Sequence, residues 1–577
     1  MTGGKVLVLG DDTRAFLAIV RSLGRQGISV HAAPANFRSP AIHSRYVAET
    51  HDLPPWMGDG ALWLAKMESL LRVQRFDLVI PCTEVNLLPL QHHRTRLAPL
   101  ACLAIPDDHS IAVLFDKHET RVLAERVGVP VAVGRLLRPD DTAEAVLKDV
   151  GAPVVVKPRH SYRLDSLASR GKAQAVRNPL QLSQLLDESD PAETLLERFF
   201  PGQGVGVSLL ASHGRVLQAF QHQRVHELAG ASFYRISAPL SPDLLRACEA
   251  IVAALPYTGI AMFEFKRNVD GDWILLEVNA RPWGSMPLPL ALGVDFPYRW
   301  FRLLTAGEET PAVIYRPGVY GRNLVPDLQA SRAEVQARRA EPGARAWFVM
   351  RRASELARPL WGREVHDLLV RDDPRPALVE LGEVAAAVAQ RVGRLLPGMT
   401  AWQRRRARAR VIAASRNTKK PLVLFVCQGN ICRSPFAESL LRSRLDNSLI
   451  TVGSAGMMPQ PGRQTPSFGL QAASPYGIDL SSHRSTWLTR QTAEAASLLI
   501  VFDETIRTAL FDRYPDLRTP VLLLGHLVGL GDITDPIGGG IDEFRRIYDM
   551  VAQSVAKLPL LLCKRNPVDK RESKSDS

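Results

Sequence analysis

Cysteine is scarce in this chain: there are six in 577 residues, namely Cys82, Cys102, Cys248, Cys427, Cys432 and Cys563. That density excludes a disulfide framework and fits a reducing compartment. Long apolar runs are missing too, since none approaches the ~20 residues that cross a bilayer. The opening MTGGKVLVLGDD has too short an apolar stretch for a secretion signal and closes on two acids. A cytoplasmic location is therefore expected. The first strand-like run, Lys5 to Gly10, is not followed by GxGxxG, which argues against a dinucleotide site there. No internal repeat is present.

What is there is an ordinary globular composition, 46% hydrophobic and 23% charged. The length suits roughly three or four domains of ~150 residues. The net charge of +13 is concentrated: residues 331–420 hold 20 Lys and Arg against 9 Asp and Glu, a surplus of 11. The densest part, QRRRARAR from Gln403 to Arg410, has no aromatic ladder and no metal-finger spacing, so nucleic-acid readout is not indicated. The segment reads as a solvated helical linker, with contact to an anionic membrane surface or to nucleic acid as the alternatives.

Periodicity divides the chain. KVLVLG is a short buried strand, the residues to Gln26 read as a helix that Gly27 caps, and ISVHAA is a second strand, giving a βαβ start. Helices and strands alternate to about Ile314, and a second α/β pattern runs from Pro421 to Leu562. The expected domains are 1–105, 106–314, a basic and mostly helical connector at 315–420, 421–562, and a disordered polar tail at 563–577.

The stretch VCQGNICRSP, Val426 to Pro435, joins the strand PLVLFV to a helix predicted from Ser434, with Ser434 as N-cap and Pro435 at the first position. A loop between a strand end and a helix N-terminus aims backbone N–H groups and the positive helix end into one concavity, where a phosphate dianion fits. A cysteine opening that loop meets the same field, which favours the nucleophilic thiolate. Arg433 offers a planar fork matched to two phosphate oxygens. About a hundred residues on, DITDPIGG places Asp535 before Pro536, a candidate proton donor for a leaving oxygen.

With CQGNICRSP, SAG (Ser454 to Gly456), DLSSHRS (Asp479 to Ser485) and the late Asp-Pro in this order, residues 421–562 resemble the low-molecular-weight protein tyrosine phosphatase family. The resemblance implies a parallel-sheet α/β domain that needs no cofactor and acts on a phosphotyrosine protein. It implies Cys427 as nucleophile, the loop Gln428, Gly429, Asn430, Ile431, Cys432 and Ser434 as phosphate cradle, and Arg433 as phosphate ligand. It further implies Asn430 as a brace, Ser434 as hydroxyl partner of the thiolate, Asp535 as general acid, and Cys432 as the partner that traps oxidised Cys427. Two departures bear on substrate. Ile537 follows the Asp-Pro, where phosphotyrosine-directed members often carry an aromatic. Phosphoarginine phosphatases of this fold resemble the Asp535–Gly540 loop, but usually have Thr where Ile431 stands. The aliphatic Ile431 favours the phenyl ester.

The first three hundred residues carry FDKHET (Phe115 to Thr120), VVVKP (Val154 to Pro158), LLERFFPGQGVGVSLL (Leu195 to Leu210), MFEFK (Met262 to Lys266) and ILLEVNARPWGS (Ile274 to Ser285). On an alternating strand Glu277, Asn279 and Arg281 share a face. With Glu264 on a neighbouring strand they suit Mg²⁺ bridging nucleotide phosphates, which Lys117 and Lys157 would neutralise. This order resembles the ATP-grasp superfamily, in particular its carboxylate-amine ligases. The resemblance implies a Rossmann-like domain followed by two α+β lobes that clasp ATP. It implies Lys117 and Lys157 on phosphates, Glu197 and the backbone to Phe200 on adenine, and Glu264, Glu277 and Asn279 on Mg²⁺. Arg281 would stabilise the transferring phosphate, and the substrates would be a small carboxylate and an amine. The acceptor pocket is placed near Arg224 and Arg235. The phosphate-covering loop, His160 to Ala173, is poor in glycine, and Gly204 stands about where relatives place a ribose-binding acid.

The whole is read as a multidomain α/β chain carrying a phosphatase and an ATP-dependent ligase. The alternatives are a phosphatase, phosphoarginine-directed in one version, gated by a non-ligating ATP-binding module, or a membrane- or nucleic-acid-associated scaffold.

Overall fold

The computed structural model describes residues 3–10, 14–37, 39–167, 171, 173–228, 231–337, 342–395, 399–416, 420–445, 450–458, 460–514 and 516–562. The expected disordered tail at 563–577 and part of the phosphate-covering loop lie outside them. The chain forms two compact units, Met1–Glu383 and Val384–Ser577. Among the described residues no helix is long and apolar enough to cross a membrane.

Unit 1 opens with a parallel five-stranded sheet. Its strands β1 (Lys5–Leu9), β2 (Ser29–Ala33), β3 (Val47–Thr50), β4 (Leu78–Pro81) and β5 (Cys102–Leu103) are ordered β3-β2-β1-β4-β5. Val6 to Leu9 are buried, as a strand covered on both faces requires. The helix Ala15–Arg25 returns the chain, and Gly27 follows it at φ 76°, the left-handed position that glycine enters without strain.

Two more sheets follow, the smaller antiparallel and the larger antiparallel except for one parallel pair at its edge, Tyr320–Arg322 with Glu364–His366. The smaller contains β6 (Gly134–Leu136), β7 (Val154–Pro158), β8 (Gln174–Val176) and β9 (Thr194–Arg198), ordered β6-β9-β7-β8. The larger has seven strands: β10 (Gln203–Ser212), β11 (Arg215–Leu228), β12 (Ala231–Ala238), β13 (Gly259–Arg267), β14 (Trp273–Asn279), β15 (Tyr320–Arg322) and β16 (Glu364–His366), ordered β14-β13-β10-β11-β12-β15-β16. On β10 two glycines make room on one face. A Cβ on Gly204 would lie 2.7 Å from Arg224 Cδ, and one on Gly206 would lie 2.2 Å from the His222 ring. Arg224 thereby lies flat across the sheet toward β13.

The structure departs from the solvated connector expected at 315–420. Tyr320–Arg322 and Glu364–His366 extend the large sheet of unit 1. Arg322 is fully buried and pairs with Asp327 and Glu364, Arg235 bonds Asp367 at 2.9 Å, and Arg21 bonds Asp373 at 2.9 Å. Counting charge along the sequence misses this, because the acids that desolvated arginine forks require come from distant positions. The run Gln403–Arg410 lies within the helix Met399–Arg416 of unit 2, whose Ala407 and Val411 are buried in that unit's core.

Unit 2 is built on four parallel strands, β17 (Leu422–Cys427), β18 (Thr451–Gly456), β19 (Leu498–Val501) and β20 (Val521–Leu523), ordered β18-β17-β19-β20. Phe425, Phe436, Phe502 and Tyr548 are buried between this sheet and the helices on one face. Each large side chain so buried contributes roughly 1.5–3 kcal/mol, and together they fix the strand end that carries Cys427.

Candidate active sites

In unit 2 the helix predicted from Ser434 begins one residue earlier, at Arg433, and runs to Arg442. Ser434 caps nothing. Its hydroxyl lies 3.0 Å from Cys427 Sγ instead. Asn430 adopts a left-handed φ of 52°, which asparagine tolerates better than most residues, and its N–H donates to the same sulfur at 3.2 Å. The Asn430 side chain ties the loop down: Nδ2 donates to Ser434 Oγ at 2.9 Å and Ser454 Oγ at 2.8 Å, and Oδ1 accepts from Thr486 N at 2.7 Å. Outside the loop, His483 Nε2 lies 2.7 Å from the Asn430 carbonyl. The loop passes close to Gly456, where a Cβ would stand 3.0 Å from Asn430 N. Gln428 O accepts from Met458 N, Gly429 O accepts from Arg463, and Ile431 packs against the core.

Arg433 is buried and held by acids. Nη1 donates to Asp503 Oδ2 at 2.5 Å and to the Ile533 carbonyl at 2.8 Å, Nη2 donates to Asp535 Oδ2 at 2.7 Å, and Nε is buried without a partner. Nη1 is thus anchored, and the Nε and Nη2 edge, where Asp535 bonds Nη2, has the shape that suits a bidentate oxyanion. Cys432 is buried, and that burial, with Cys427 nearby, pushes its thiol well above the usual range. Ile537 is half exposed beside Asp535.

In unit 1 the predicted ligand residues converge. Glu264 and Glu277 are register partners on β13 and β14, and Asn279 Nδ2 donates to Oε1 of each at 3.3 Å. Arg224, crossing the glycines of β10, bonds Glu264. Burial pushes the Glu264 carboxyl up despite Arg224. Burial opposes ionisation of Glu277 as well, but there the ammonium groups of Lys117 and Lys157 prevail and hold it below the usual range. Lys117 Nζ donates to Ser161 Oγ at 2.9 Å, and a cleft here is lined by Glu84, Lys117, Ser161, Glu277 and Asn279. Arg281, just past β14, donates to Glu84 Oε1 at 3.1 Å rather than standing free. Glu197 is engaged by Lys157 Nζ at 2.7 Å, and the Phe200 carbonyl accepts from Lys266 Nζ at 3.3 Å. Three oxygen-bearing side chains on adjacent strands, two of them carboxylates, fit a hard divalent cation that completes its shell with water and phosphate oxygens. Of the expected acceptor pair, Arg224 reaches this cluster, whereas Arg235 is consumed by Asp367.

Sequence reasoning missed Asp503 and Glu84. Asp503 opens a helix as its N-cap, accepting from Ile506 N at 2.8 Å, and the strand-then-Asp pattern LLIVFDET was the available signal. Glu84 had none beyond its place after β4.

Residues 422–570 match the family model described as low molecular weight phosphotyrosine protein phosphatase, and residues 190–320 match the model of ATP-grasp in the biosynthetic pathway with Ter operon. Among curated relatives, the probable low molecular weight protein-tyrosine-phosphatase EpsP of Ralstonia nicotianae is 33% identical over 133 residues, 23% of this chain and 90% of that protein. The protein-arginine-phosphatase of Bacillus subtilis is 30% identical over 140 residues, 24% of this chain and 93% of that one. Among solved structures, the ADP complex of purK, an N5-carboxyaminoimidazole ribonucleotide synthetase, aligns with TM-score 0.46 and 15% identity over 59% of this chain and 86% of that one. Fold and site thus define a phosphatase-type α/β unit alongside an ATP-grasp unit. The chain belongs to the low-molecular-weight protein tyrosine phosphatase family through its C-terminal unit, and carries an ATP-grasp domain ahead of it.

Proposed function

We propose that unit 2 hydrolyses phosphotyrosine in proteins through a cysteinyl-phosphate intermediate. The observation that carries this reading is the convergence of Asn430 N and Ser434 Oγ on Cys427 Sγ, with Arg433 bonded to Asp535 beside them. Cys427 Sγ attacks phosphorus, and the bond to the tyrosyl oxygen breaks as Asp535 supplies its proton. The loop N–H groups and Arg433 hold the equatorial oxygens. Asp535, now a carboxylate, takes a proton from water as that water attacks phosphorus. Phosphate leaves, and the Cys427 thiolate and the Asp535 proton are restored.

Unit 1 binds ATP and activates a small carboxylate for attack by an amine. Glu264, Glu277 and Asn279 would hold Mg²⁺, which when bound supplies charge neutralisation for the phosphates. Lys117 and Lys157 orient phosphate oxygens, Glu197 and the backbone to Phe200 border the adenine, and Arg281, released from Glu84, steadies the transferring phosphoryl group.

Hydrolysis of phosphotyrosine and phosphoarginine peptides tests the first reading, with Cys427→Ser and Asp535→Asn as controls. Cleavage of phosphotyrosine that depends on Cys427 is expected. Preference for phosphoarginine, the substrate class named for the Bacillus subtilis relative, would reverse the assignment made from Ile431. ADP release by unit 1 only when a carboxylate and an amine are both supplied is the expected result for the ligase, and turnover with neither would refute it. ADP release that never occurs, combined with phosphatase rates that change with ATP, would favour a gating module.

A further inference from the structure

We propose that His31, Glu49 and His51 form a binding site for a divalent transition metal on the N-terminal sheet, separate from the Mg²⁺ cleft, with Zn²⁺ the ion its donors suit best. His31 stands on β2 opposite Glu49 on β3, and His51 follows immediately where β3 ends. Among the described residues this is the group of histidine, cysteine and carboxylate side chains whose ligand atoms come together, one from each within 4.8 Å of the others. His31 Nδ1 lies 2.9 Å from His51 Nε2 and 3.5 Å from Glu49 Oε2, and Glu49 Oε1 lies 3.7 Å from His51 Nδ1.

Zinc binds nitrogen and carboxylate oxygen at about 2.0–2.2 Å, so donors around one ion stand roughly 3–4 Å apart. The contacts above use both nitrogens of His51 and both oxygens of Glu49; taking one donor from each residue, the three stand within 4.8 Å of one another, so an ion would draw them together. The two imidazoles lie nearly parallel, at 3°, and share one N–H···N bond. Rotation of the rings would exchange that bond for two bonds to an ion. The edge of Phe76 supports both rings, at centroid distances of 5.2 and 6.1 Å. Glu49 remains 52% exposed, leaving a path from solvent and a fourth coordination position for water.

Lys5 and Lys66 are the neighbouring cations, and Lys5 bonds Gln74 and lies over the face of Phe76. Two imidazoles and one carboxylate select zinc, cobalt or nickel over magnesium and calcium. Because β3 is an edge strand, an ion here would staple it to β2.

The test is titration of the full-length, chelator-stripped chain with Co²⁺ and Zn²⁺ in excess Mg²⁺. One equivalent is expected to bind with visible d–d bands and no thiolate charge-transfer band, which separates this site from Cys427 and Cys432. Glu49→Ala and His51→Ala should each weaken binding by at least about tenfold, with phosphatase turnover and circular dichroism unchanged. X-ray absorption on the zinc-loaded unsubstituted chain should show nitrogen and oxygen neighbours only, a readout that does not depend on any variant folding. Absence of a stoichiometric nitrogen and oxygen site in the unsubstituted chain, or undiminished affinity in the Glu49→Ala/His51→Ala double variant, would overturn the proposal.

Discussion

The loop around Cys427 draws its polar groups from one strand end, one turn and one helix start, whereas the cleft around Glu264 draws them from a helix (Lys117), from β7 (Lys157) and from β14 and the residues just past it (Glu277, Asn279 and Arg281). The difference extends to how each is held without ligand. In the loop, Asn430 locks the backbone through Ser434, Ser454 and Thr486, so the cradle has its shape in advance, and Asp535 is the partner of Arg433 that must leave. In the cleft, the cations are spent on acids of the same cleft: Arg224 on Glu264, Lys157 on Glu197, Arg281 on Glu84. On the functions proposed above, a nucleotide entering the cleft would replace several internal ion pairs, while a phosphomonoester entering the loop would replace one. Preorganisation of this kind lowers the reorganisation that accompanies reaction, so single substitutions should fall harder on the loop than on the cleft.

The largest expected effect comes from Cys427→Ser, which should lower phosphopeptide hydrolysis on the order of 10⁴-fold or more and leave nucleotide binding by unit 1 unchanged. Asp535→Asn should cost about 10²–10⁴-fold, less for an aryl phosphate with a good leaving group than for a phosphotyrosine peptide; equal losses on both would remove Asp535 from the proton path. Glu277→Gln should weaken MgATP binding about 10–100-fold, read by calorimetry, with phosphatase rates intact. Asp503→Asn keeps an oxygen to cap its helix but loses the charge that anchors Arg433. A drop of about tenfold in kcat/KM, equivalent to ~1.4 kcal/mol, is expected with weaker inhibition by inorganic phosphate. Smallest is Val411→Ala in the basic helix, expected to cost about 1–3 kcal/mol of stability and measurable as a lower Tm for unit 2.

How far each site could be seen in the sequence follows the same contrast. Cys427, Asn430, Arg433 and Ser434 lie within eight residues, so strand, loop and helix signals and the chemistry they position are adjacent in the chain. Glu264, Glu277 and Asn279 were visible because alternation on a strand fixes which residues share a face. Glu84 and Asp503 were not: the strand-then-Asp pattern marks Asp503 as a helix cap, but nothing local marks either acid as the partner of Arg281 or Arg433, almost two hundred or seventy positions away. The basic segment was misjudged for a related reason. The segment looks solvated until its acids Asp327, Glu364, Asp367 and Asp373 are seen folded against Arg322, Arg235 and Arg21.

The docked helix Met399–Arg416 changes what counts as a module in this chain. A gene fragment trimmed to the family boundary near Leu422 would encode every reactive side chain and yet omit Ala407 and Val411, which fill the phosphatase core, and Arg410, which donates to the Val521 carbonyl at 2.9 Å. Such a fragment would expose an apolar socket and behave as a sticky, less soluble protein. For expression, domain swapping or tracing the ancestry of the fusion, the natural cut falls ahead of Met399: what resembles a tether in the sequence has become masonry of the domain it leads into.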